Sequence, residues 1–301
     1  MLTGTVLRAR SGFYTVATER GAVECQLRGR LKRDRANAEL VVVGDVVTLE
    51  PTAPGVGVIE SVSPRRSRFS RRQPGPRGSW REDLIVANLD QVLAVFACAD
   101  PPPNPRLIDR FLVVAEHNEI TAVLVANKID LANGPAARAI FEPYAAIGYR
   151  VIYTSARTGE GLDELRTVLA GRISAISGPS GVGKSTLLNS LDPSLAIATA
   201  EVSEALRKGR HTTTATELHP LHGPMGGHVA DTPGIRELAL WDIPPADLAW
   251  CFPEFRPFLN SCRFADCRHL AEPGCGLMAA AERGDFGADR FDSYRRMEAS
   301  D

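Results

Sequence analysis

The residues from Gly178 to Ser185 have the types and the spacing of a phosphate-binding loop. The segment reads GPSGVGKS, follows the apolar run RISAIS and precedes the helix-like run TLLNSL. Glycines there let backbone N–H groups curl around phosphate oxygens, Lys184 can reach the β- and γ-oxygens as a catalytic group, and the Ser185 hydroxyl can ligate Mg²⁺. We expect nucleotide contacts from Gly178, Ser180, Gly181, Val182, Gly183, Lys184, Ser185 and Thr186.

The motif Asn127-Lys128-Ile-Asp130 follows the apolar run ITAVLVA and indicates which base is bound. The Asp130 carboxylate can accept hydrogen bonds from both N1–H and the 2-amino group of guanine, and adenine offers neither donor there. Discrimination is strong because an unpaired buried polar group costs about 1–3 kcal/mol. At the end of the next apolar run, a backbone amide at Ser155 or Ala156 can support guanine O6. The alternative is a strand-end turn that carries Asn and Asp by accident.

Two polar segments after the phosphate loop are suited to the metal and the γ-phosphate. Asp231-Thr-Pro-Gly234 ends the run GGHVA, where Asp231 can act on Mg²⁺ through water and the Gly234 N–H can face the γ-phosphate. The loop KGRHTTT, residues 208–214, contains threonines that can close over the metal in the triphosphate state.

A cluster of metal-ligand types lies near the C-terminus, with Cys262, Cys267, His269 and Cys275 within 14 residues. Three thiolates and one imidazole satisfy tetrahedral Zn²⁺ with no open position, so the spacing predicts one structural zinc ion. Buried cysteines beside an incidental histidine are the alternative. The other three cysteines, Cys25, Cys98 and Cys251, are expected to be packed without a role.

Three kinds of sequence pattern position these motifs. Short strand-like runs with glycine at the bends occupy the first 65 or so residues and predict a small β-barrel, of the OB or the SH3-like type. From Gln91, apolar runs alternate with helix-like stretches, which predicts a parallel α/β sheet with ligands at the carboxyl ends of its strands. Beyond about residue 240 the chain is expected to be mainly helical.

The net charge of −1 conceals an asymmetry along the chain. Residues 1–81 carry 15 Lys and Arg against 7 Asp and Glu, which favours binding to phosphate backbones. The segment 64–83 reads as a linker, either a solvated tether or an arm that contacts RNA through Arg65, Arg66, Arg68, Arg71 and Arg72. No run is long enough to span a membrane and the start lacks a secretory signal, so a cytoplasmic protein without membrane contact is expected.

Together the motifs resemble the specificity, base-contact, phosphate-loop and switch motifs of GTPases. However, NKID and TSA (residues 127–130 and 154–156) precede the phosphate loop, as in a circular permutation. With GTVLRARSGFYTV and VVVGDVVTLE in the barrel and the Cys/His cluster, nearly the whole chain resembles the bacterial ribosome small-subunit-dependent GTPase A family. The resemblance implies an OB-fold domain at 1–68, a permuted GTPase domain at 69–240 beginning with the linker, and a zinc-binding domain at 241–301.

The same resemblance implies hydrolysis of GTP to GDP, stimulated by the 30S ribosomal subunit, and a role in late 30S maturation with contact to 16S rRNA. Ile235 stands where many GTPases place a water-orienting glutamine, so slow turnover of the protein alone is expected. His211 is our candidate for that role, with a structural loop histidine as the alternative. Thr213 aligns best with the metal-binding threonine of related GTPases, and Thr212 and Thr214 remain open.

Three other functions compete with this interpretation. The first is an ATP-dependent kinase or ATPase that contains NKID by chance, and the second is a non-enzymatic RNA-binding protein. Lys184, Ser185 and Asp231 argue against the second, because they would contact the phosphates that are transferred. The third is a permuted GTPase acting on the large subunit or on another RNA or ribosomal particle. A monomer is expected.

Overall fold

In the computed structural model, the chain is described over residues 1–29, 41–74, 80–197, 216–231 and 243–299. The strands are β1 Leu2–Arg10, β2 Phe13–Thr18, β3 Gly21–Leu27, β4 Val46–Ala53, β5 Val56–Val62, β6 Arg68–Pro74, β7 Trp80–Ala87, β8 Gln91–Ala97, β9 Thr121–Asn127, β10 Arg150–Tyr153, β11 Ile173–Ser177, β12 Glu217–Pro220 and β13 His228–Asp231. The helices are α1 Pro105–His117, α2 Gly134–Ile147, α3 Leu162–Leu169, α4 Lys184–Leu191, α5 Pro245–Leu248, α6 Arg256–Leu259, α7 Gly276–Arg283 and α8 Ala288–Glu298. Within these ranges, no helix is both long and apolar enough to cross a membrane.

Strands β1 to β5 close into a barrel, as the short glycine-bounded runs predict. The pairing order is β1-β2-β3-β5-β4, and β4 pairs again with β1. The β3–β5 pair is parallel and the other pairs are antiparallel, which is the arrangement of an OB fold and decides between the two predicted barrel types. Alternate residues face a small apolar core that contains Val6, Val16, Val47, Leu49 and Ile59.

The Arg-rich segment 64–83, expected to be a linker, is folded where the structure describes it. Strands β6 and β7 pair antiparallel from Arg68↔Ala87 to Pro74↔Trp80. The prediction was wrong because a single aromatic residue anchors the segment: Phe69 is fully buried and packs with Val86 in the central core. Arg65, one of the arginines considered for RNA contact, is engaged within the protein: its guanidinium donates hydrogen bonds of 2.7 and 2.9 Å to the buried Asp45 carboxylate.

The central sheet has the order β10-β9-β8-β11-β13-β12. The first five strands are parallel, while β12 runs antiparallel to β13 along its length. Strand β8 is buried along its whole length because helices cover both faces of the sheet. Helices α1 and α2 pack on one face through Phe111 and Phe141, and α3 and α4 on the other through Leu165 and Leu187. The predicted parallel α/β architecture is confirmed, with β12 as an antiparallel addition.

The C-terminal region is mainly helical, as expected, and packs on α1. Its core is aromatic, with Phe252, Phe255 and Tyr294 in mutual ring contacts. Val113 of α1 belongs to the same apolar cluster, so this region shares a core with the central domain.

A buried arginine fixes this packing. Arg290 of α8 donates to the Asp109 carboxylate of α1 at 2.6 Å and to Glu254 at 2.6 Å, and its guanidinium lies 4.6 Å from the Phe252 ring centre. Tyr144 of α2 donates to the same Asp109 carboxylate at 2.9 Å. Arg290 is therefore the shared cation of two buried carboxylates on different elements.

We expect Arg290→Met to lower the free energy of unfolding by about 3–5 kcal/mol, because it leaves two buried carboxylates without their cation. Arg296→Met on the same helix is the matched control: its ion pair with Asp292 is exposed, and we expect a loss of at most about 0.5 kcal/mol. Urea unfolding measures both. Equal losses in the two variants would contradict the role assigned to Arg290.

Candidate nucleotide-binding site and metal centre

The motif-bearing loops meet at one edge of the central sheet. Strands β9, β10 and β11 are parallel members of the sheet, and each ends directly before a motif: NKID begins at Asn127, Thr154–Ala156 follows β10, and the phosphate loop follows β11. Because the carboxyl ends of parallel strands lie at the same edge, the three motifs surround one region. Strand β13, adjacent to β11 and parallel to it, brings the backbone of Asp231 to this edge.

The phosphate loop needs its glycines for two separate reasons. Gly178 (φ +142°) and Gly183 (φ +91°) adopt backbone conformations that other residues avoid. In addition, a Cβ on Gly178 would lie 2.1 Å from the Val95 carbonyl oxygen, and one on Gly183 would lie 2.7 Å from Asn127 Nδ2. The loop is therefore packed against strand β8 and against the end of β9.

Lys184 and Ser185 stand in the first turn of α4, where helical N–H groups favour anions. The Lys184 ammonium folds back over the loop and donates to the carbonyl oxygens of Gly178 and Pro179, both at 2.6 Å. Ser185 is half-buried beside it. A cation, a hydroxyl and a helix N-terminus in this turn are the groups that suit the terminal phosphates of a nucleotide and its Mg²⁺.

Asn127 joins three loops of the site. Its side chain is buried, its Nδ2 donates to the Val182 carbonyl oxygen of the phosphate loop at 2.9 Å, and its Oδ1 accepts from the Thr154 hydroxyl at 3.0 Å. Both functional groups of the amide are thus used in holding the loops after β9, β10 and β11 together. This places Asn127 as a structural link within the site.

Asp130 is held as an ionised acceptor. Ser155 Oγ donates to one carboxylate oxygen at 2.6 Å and Arg157 Nε to the other at 2.8 Å. The hydrogen bond from Ser155, assisted by Arg157, lowers the pKa of the Asp130 carboxyl below its ordinary value. The carboxylate therefore stays charged when the pH falls into the mildly acidic range, as acceptance of two guanine N–H donors requires.

The remaining expected residues divide between described and undescribed parts of the chain. Ser180 and Gly181 are exposed on the phosphate loop, Thr186 is exposed on α4, Val182 is buried and Ala156 is half-buried. Lys128 sits next to Asn127 with a left-handed backbone (φ +60°), and its ammonium donates to the Asp100 carbonyl oxygen at 2.5 Å. Outside the described residues lie His211, Thr212, Thr213, Thr214 and Gly234.

The sequence interpretation missed two contributors to this edge. Arg157 orients Asp130, and the Asp100 carbonyl oxygen holds Lys128. Arg157 directly follows Thr154–Ala156, and only its position after that motif could have drawn attention to it. A backbone carbonyl leaves no signal in residue type.

The four predicted metal ligands lie together near the C-terminus. The ligand atoms of Cys262, Cys267, His269 and Cys275 are all within 4.8 Å of one another. The Sγ atoms of Cys262 and Cys275 are 3.9 Å apart, and His269 Nδ1 is 3.4 and 3.3 Å from these sulfurs. A tetrahedral metal with sulfur bonds of about 2.3 Å and a nitrogen bond of about 2.0 Å requires ligand separations near these values. The cluster can therefore hold one metal ion with all four positions filled.

The loop of the cluster is braced by neighbouring residues. The Glu272 carboxylate accepts the backbone N–H groups of Arg268, Leu270 and Ala271 at 2.9, 2.9 and 3.0 Å. Tyr294 Oη donates to the Arg268 carbonyl oxygen at 2.6 Å. His269 has a positive φ of 57° within this braced turn, so the turn orients the imidazole ligand.

The other three cysteines are buried and carry no such geometry. Burial raises the pKa of Cys25 and Cys98 to about 11 and that of Cys251 to about 12. Their protonated form is favoured near neutral pH, and none of them belongs to the group of ligand atoms near the C-terminus.

Fold and site together define a P-loop GTPase whose motifs run along the chain in permuted order. The phosphate-loop strand β11 lies in the centre of the sheet, yet the strands that carry the base-recognition motifs precede it in the chain. The strands lie in the spatial order of a nucleotide-binding sheet, and the chain differs from an unpermuted GTPase in where its termini are placed.

Comparisons with known proteins identify the family. The family model of the RsgA GTPase matches residues 62–241, and the family model of the RsgA N-terminal domain matches residues 3–59. The small ribosomal subunit biogenesis GTPase RsgA of Gemmatimonas aurantiaca is 49% identical over 98% of this chain and 96% of its own. The protein of the same name from Moorella thermoacetica is 44% identical over 97% and 94%.

Solved structures agree with this assignment. The crystal structure of YjeQ from Thermotoga maritima is 36% identical, with a TM-score of 0.80 over 99% of this chain and 98% of the other. YloQ, described as a circularly permuted GTPase, is 30% identical with a TM-score of 0.76 over 100% and 95%. The chain belongs to the RsgA family of GTPases and is a GTP hydrolase.

We expect Cys262→Ser to abolish stoichiometric metal binding, because a closed four-ligand site loses a thiolate. Cys251→Ser is the matched control: it removes a buried cysteine of the same region that lies outside the cluster, and its metal content should equal that of the wild type. Elemental analysis of the purified proteins gives the metal-to-protein ratio. Equal metal in Cys262→Ser and wild type would rule out the cluster as the binding site.

Proposed function

We propose that the 30S ribosomal subunit stimulates GTP hydrolysis by this protein and that the protein acts late in 30S maturation. The observation that carries the proposal is the arrangement of one chain: an OB barrel and a four-ligand metal cluster on either side of a permuted GTPase core. The named relatives are small ribosomal subunit biogenesis GTPases and match almost the whole chain. A nucleotide switch attached to an RNA-binding barrel suits regulated contact with a ribosomal particle.

The barrel offers a surface for 16S rRNA. An open cavity of about 490 Å³ beside the turn between β1 and β2 is lined by Arg8, Arg10, Ser11, Phe13, Thr15 and Glu24. Phe13 is 55% exposed, so its side chain is accessible for base stacking. Together with the excess of basic residues in the first 81 positions, these side chains suit an RNA backbone and its bases.

The hydrolytic site assigns a role to each motif. Asn127, Lys128 and Asp130 would hold guanine with Ser155 and Ala156, and the phosphate loop would hold the phosphates of GTP and GDP. Ser185, Asp231 and Thr213 would hold Mg²⁺, which neutralises charge on the phosphates when bound. Lys184 would stabilise the β- and γ-oxygens, and His211 would orient the attacking water, since Ile235 cannot.

The remaining features of the proposal follow from the same residues. Cys262, Cys267, His269 and Cys275 would bind one structural Zn²⁺, because a closed set of three thiolates and one imidazole favours that ion. The domains would be 1–68, 69–240 and 241–301. The protein would work in the cytoplasm as a monomer, with no membrane partner.

Turnover of GTP by the protein alone, with 30S subunits and with 50S subunits tests the proposal. We expect 30S subunits to stimulate GTP turnover and 50S subunits not to, and we expect no ATP turnover under any condition. His211→Ala should lower the 30S-stimulated rate about 100-fold or more, because it removes the proposed water-orienting group, while GDP affinity stays unchanged. His117→Ala, at the end of α1, is the matched control and should behave as wild type.

Three outcomes would contradict parts of this proposal. Equal stimulation by 50S or by another structured RNA would replace the 30S role with a permuted GTPase of broader target. Full stimulated turnover in His211→Ala would eliminate that residue. Hydrolysis of ATP at the GTP rate would overturn guanine specificity.

A further inference from the structure

Strand β1 joins the barrel to the central sheet, so that one continuous sheet of eleven strands runs through both. Its first half, Leu2 to Thr5, pairs with β4 and closes the barrel. The register against β2 then shifts between Val6 and Arg8, which marks a β-bulge. Bulges redirect a strand and its side chains. Beyond this bulge β1 pairs with β12 of the GTPase sheet, with Arg8 opposite Glu217.

This bridge lies at the nucleotide edge of the sheet. Arg8 pairs with Glu217 across β1 and β12, and Glu217 in turn pairs with Asp231 across β12 and β13. A transverse row of backbone partners therefore runs from the barrel to the residue expected to act on Mg²⁺. The Arg8 guanidinium also forms an ion pair with the Glu217 carboxylate. Both side chains are partly exposed, at 52% and 32%.

A second attachment holds the barrel at the opposite edge of the sheet, before β8 begins. The Ala87 N–H donates to the Val43 carbonyl oxygen and Asn88 Nδ2 to that of Gly44, each at 2.9 Å. The Arg65–Asp45 pair lies beside them and is mostly buried. These contacts are buried and fix the barrel, whereas the Arg8–Glu217 contact is exposed and can change with a ligand.

We propose that Arg8 and Glu217 are positioning residues that couple occupancy of the barrel to GTP turnover through β12. In the chain, β12 lies between residues 208–214 and residues 231–234, the two segments expected to contact Mg²⁺ and the γ-phosphate. Glu217 of β12 is the backbone partner of Asp231, so a displacement of β12 moves the strand end that carries Asp231. Arg8 also lines the barrel cavity, so a phosphate bound there competes with Glu217 for its guanidinium. The inference rests on the proposed stimulation by 30S.

A charge exchange tests the coupling. We expect Arg8→Glu and Glu217→Arg each to lower the maximal 30S-stimulated rate about fivefold at saturating subunit, because like charges now face each other across the bridge. The double variant Arg8→Glu/Glu217→Arg restores the opposite pair and should recover at least half of the wild-type maximum.

Arg20→Glu is the matched control, since it makes the same charge change at an exposed position of the barrel away from β12. It should raise only the subunit concentration for half-maximal stimulation and leave the maximal rate unchanged. The milder variants Arg8→Gln and Glu217→Gln serve if a charge reversal reduces the yield of folded protein. Unchanged maxima in the single variants, or a double variant no better than the worse single variant, would overturn the coupling.

Amide hydrogen exchange separates this inference from the proposed function. In wild type without subunits, peptides covering residues 2–10 and 217–220 should exchange at different rates with GDP and with a non-hydrolysable GTP analogue. The difference should disappear in Arg8→Glu and return in the double variant. If 30S fails to stimulate wild type but this pattern holds, the proposed function fails and the coupling stands. If these peptides of the wild type exchange at the same rate with GDP and with the GTP analogue, the coupling fails.

Discussion

The nucleotide site depends on one buried amide. Asn127 donates to the Val182 carbonyl oxygen and accepts from Thr154, so a single side chain ties together loops from three strands. The three residues in contact are 27 and 28 positions apart in the chain, and no local pattern could hold them in register. With both polar groups of the amide satisfied in a buried place, any shift of one loop would leave a buried donor or acceptor unpaired, at a cost of about 1–3 kcal/mol.

Permutation of the chain is compatible with this constraint, because the contacts of Asn127 depend on where the strand ends lie in the fold and not on their order along the chain. Strand β11 remains at the centre of the sheet, with β8 on one side and β13 on the other. The permutation leaves an N-terminal barrel and a C-terminal metal cluster at the new ends of the core. Each is then fixed by a buried charge: Arg65 on Asp45 for the barrel, and Arg290 on Asp109 for the C-terminal region.

Local patterns in the sequence predicted much of the fold and most of the candidate site. The phosphate loop, NKID and the Cys/His spacing are short motifs with fixed geometry. The first two lie together at one edge of the sheet, and the four Cys/His ligand atoms lie within 4.8 Å of one another. The prediction failed for residues 64–83, because arginine-rich composition concealed Phe69, whose buried contacts come from distant segments. The contact of Arg157 with Asp130 and the β1–β12 bridge, whose paired residues are 209 positions apart, were likewise not predicted, since such pairing leaves no periodic signal. Long-range contacts were the part that the residues alone could not determine.

The central claim is that the loop after β9 and the loop after β11 form a single guanine-nucleotide site. Competition for a bound fluorescent GDP analogue, using GDP, IDP and ADP on wild type and Asp130→Asn, tests it most directly. We expect ADP not to compete, and IDP, which lacks the 2-amino donor, to bind about tenfold or more weakly than GDP. In Asp130→Asn the preference for GDP over IDP should vanish, because the second acceptor is gone. Equal competition by ADP and GDP in wild type, or an unchanged preference in Asp130→Asn, would contradict the account.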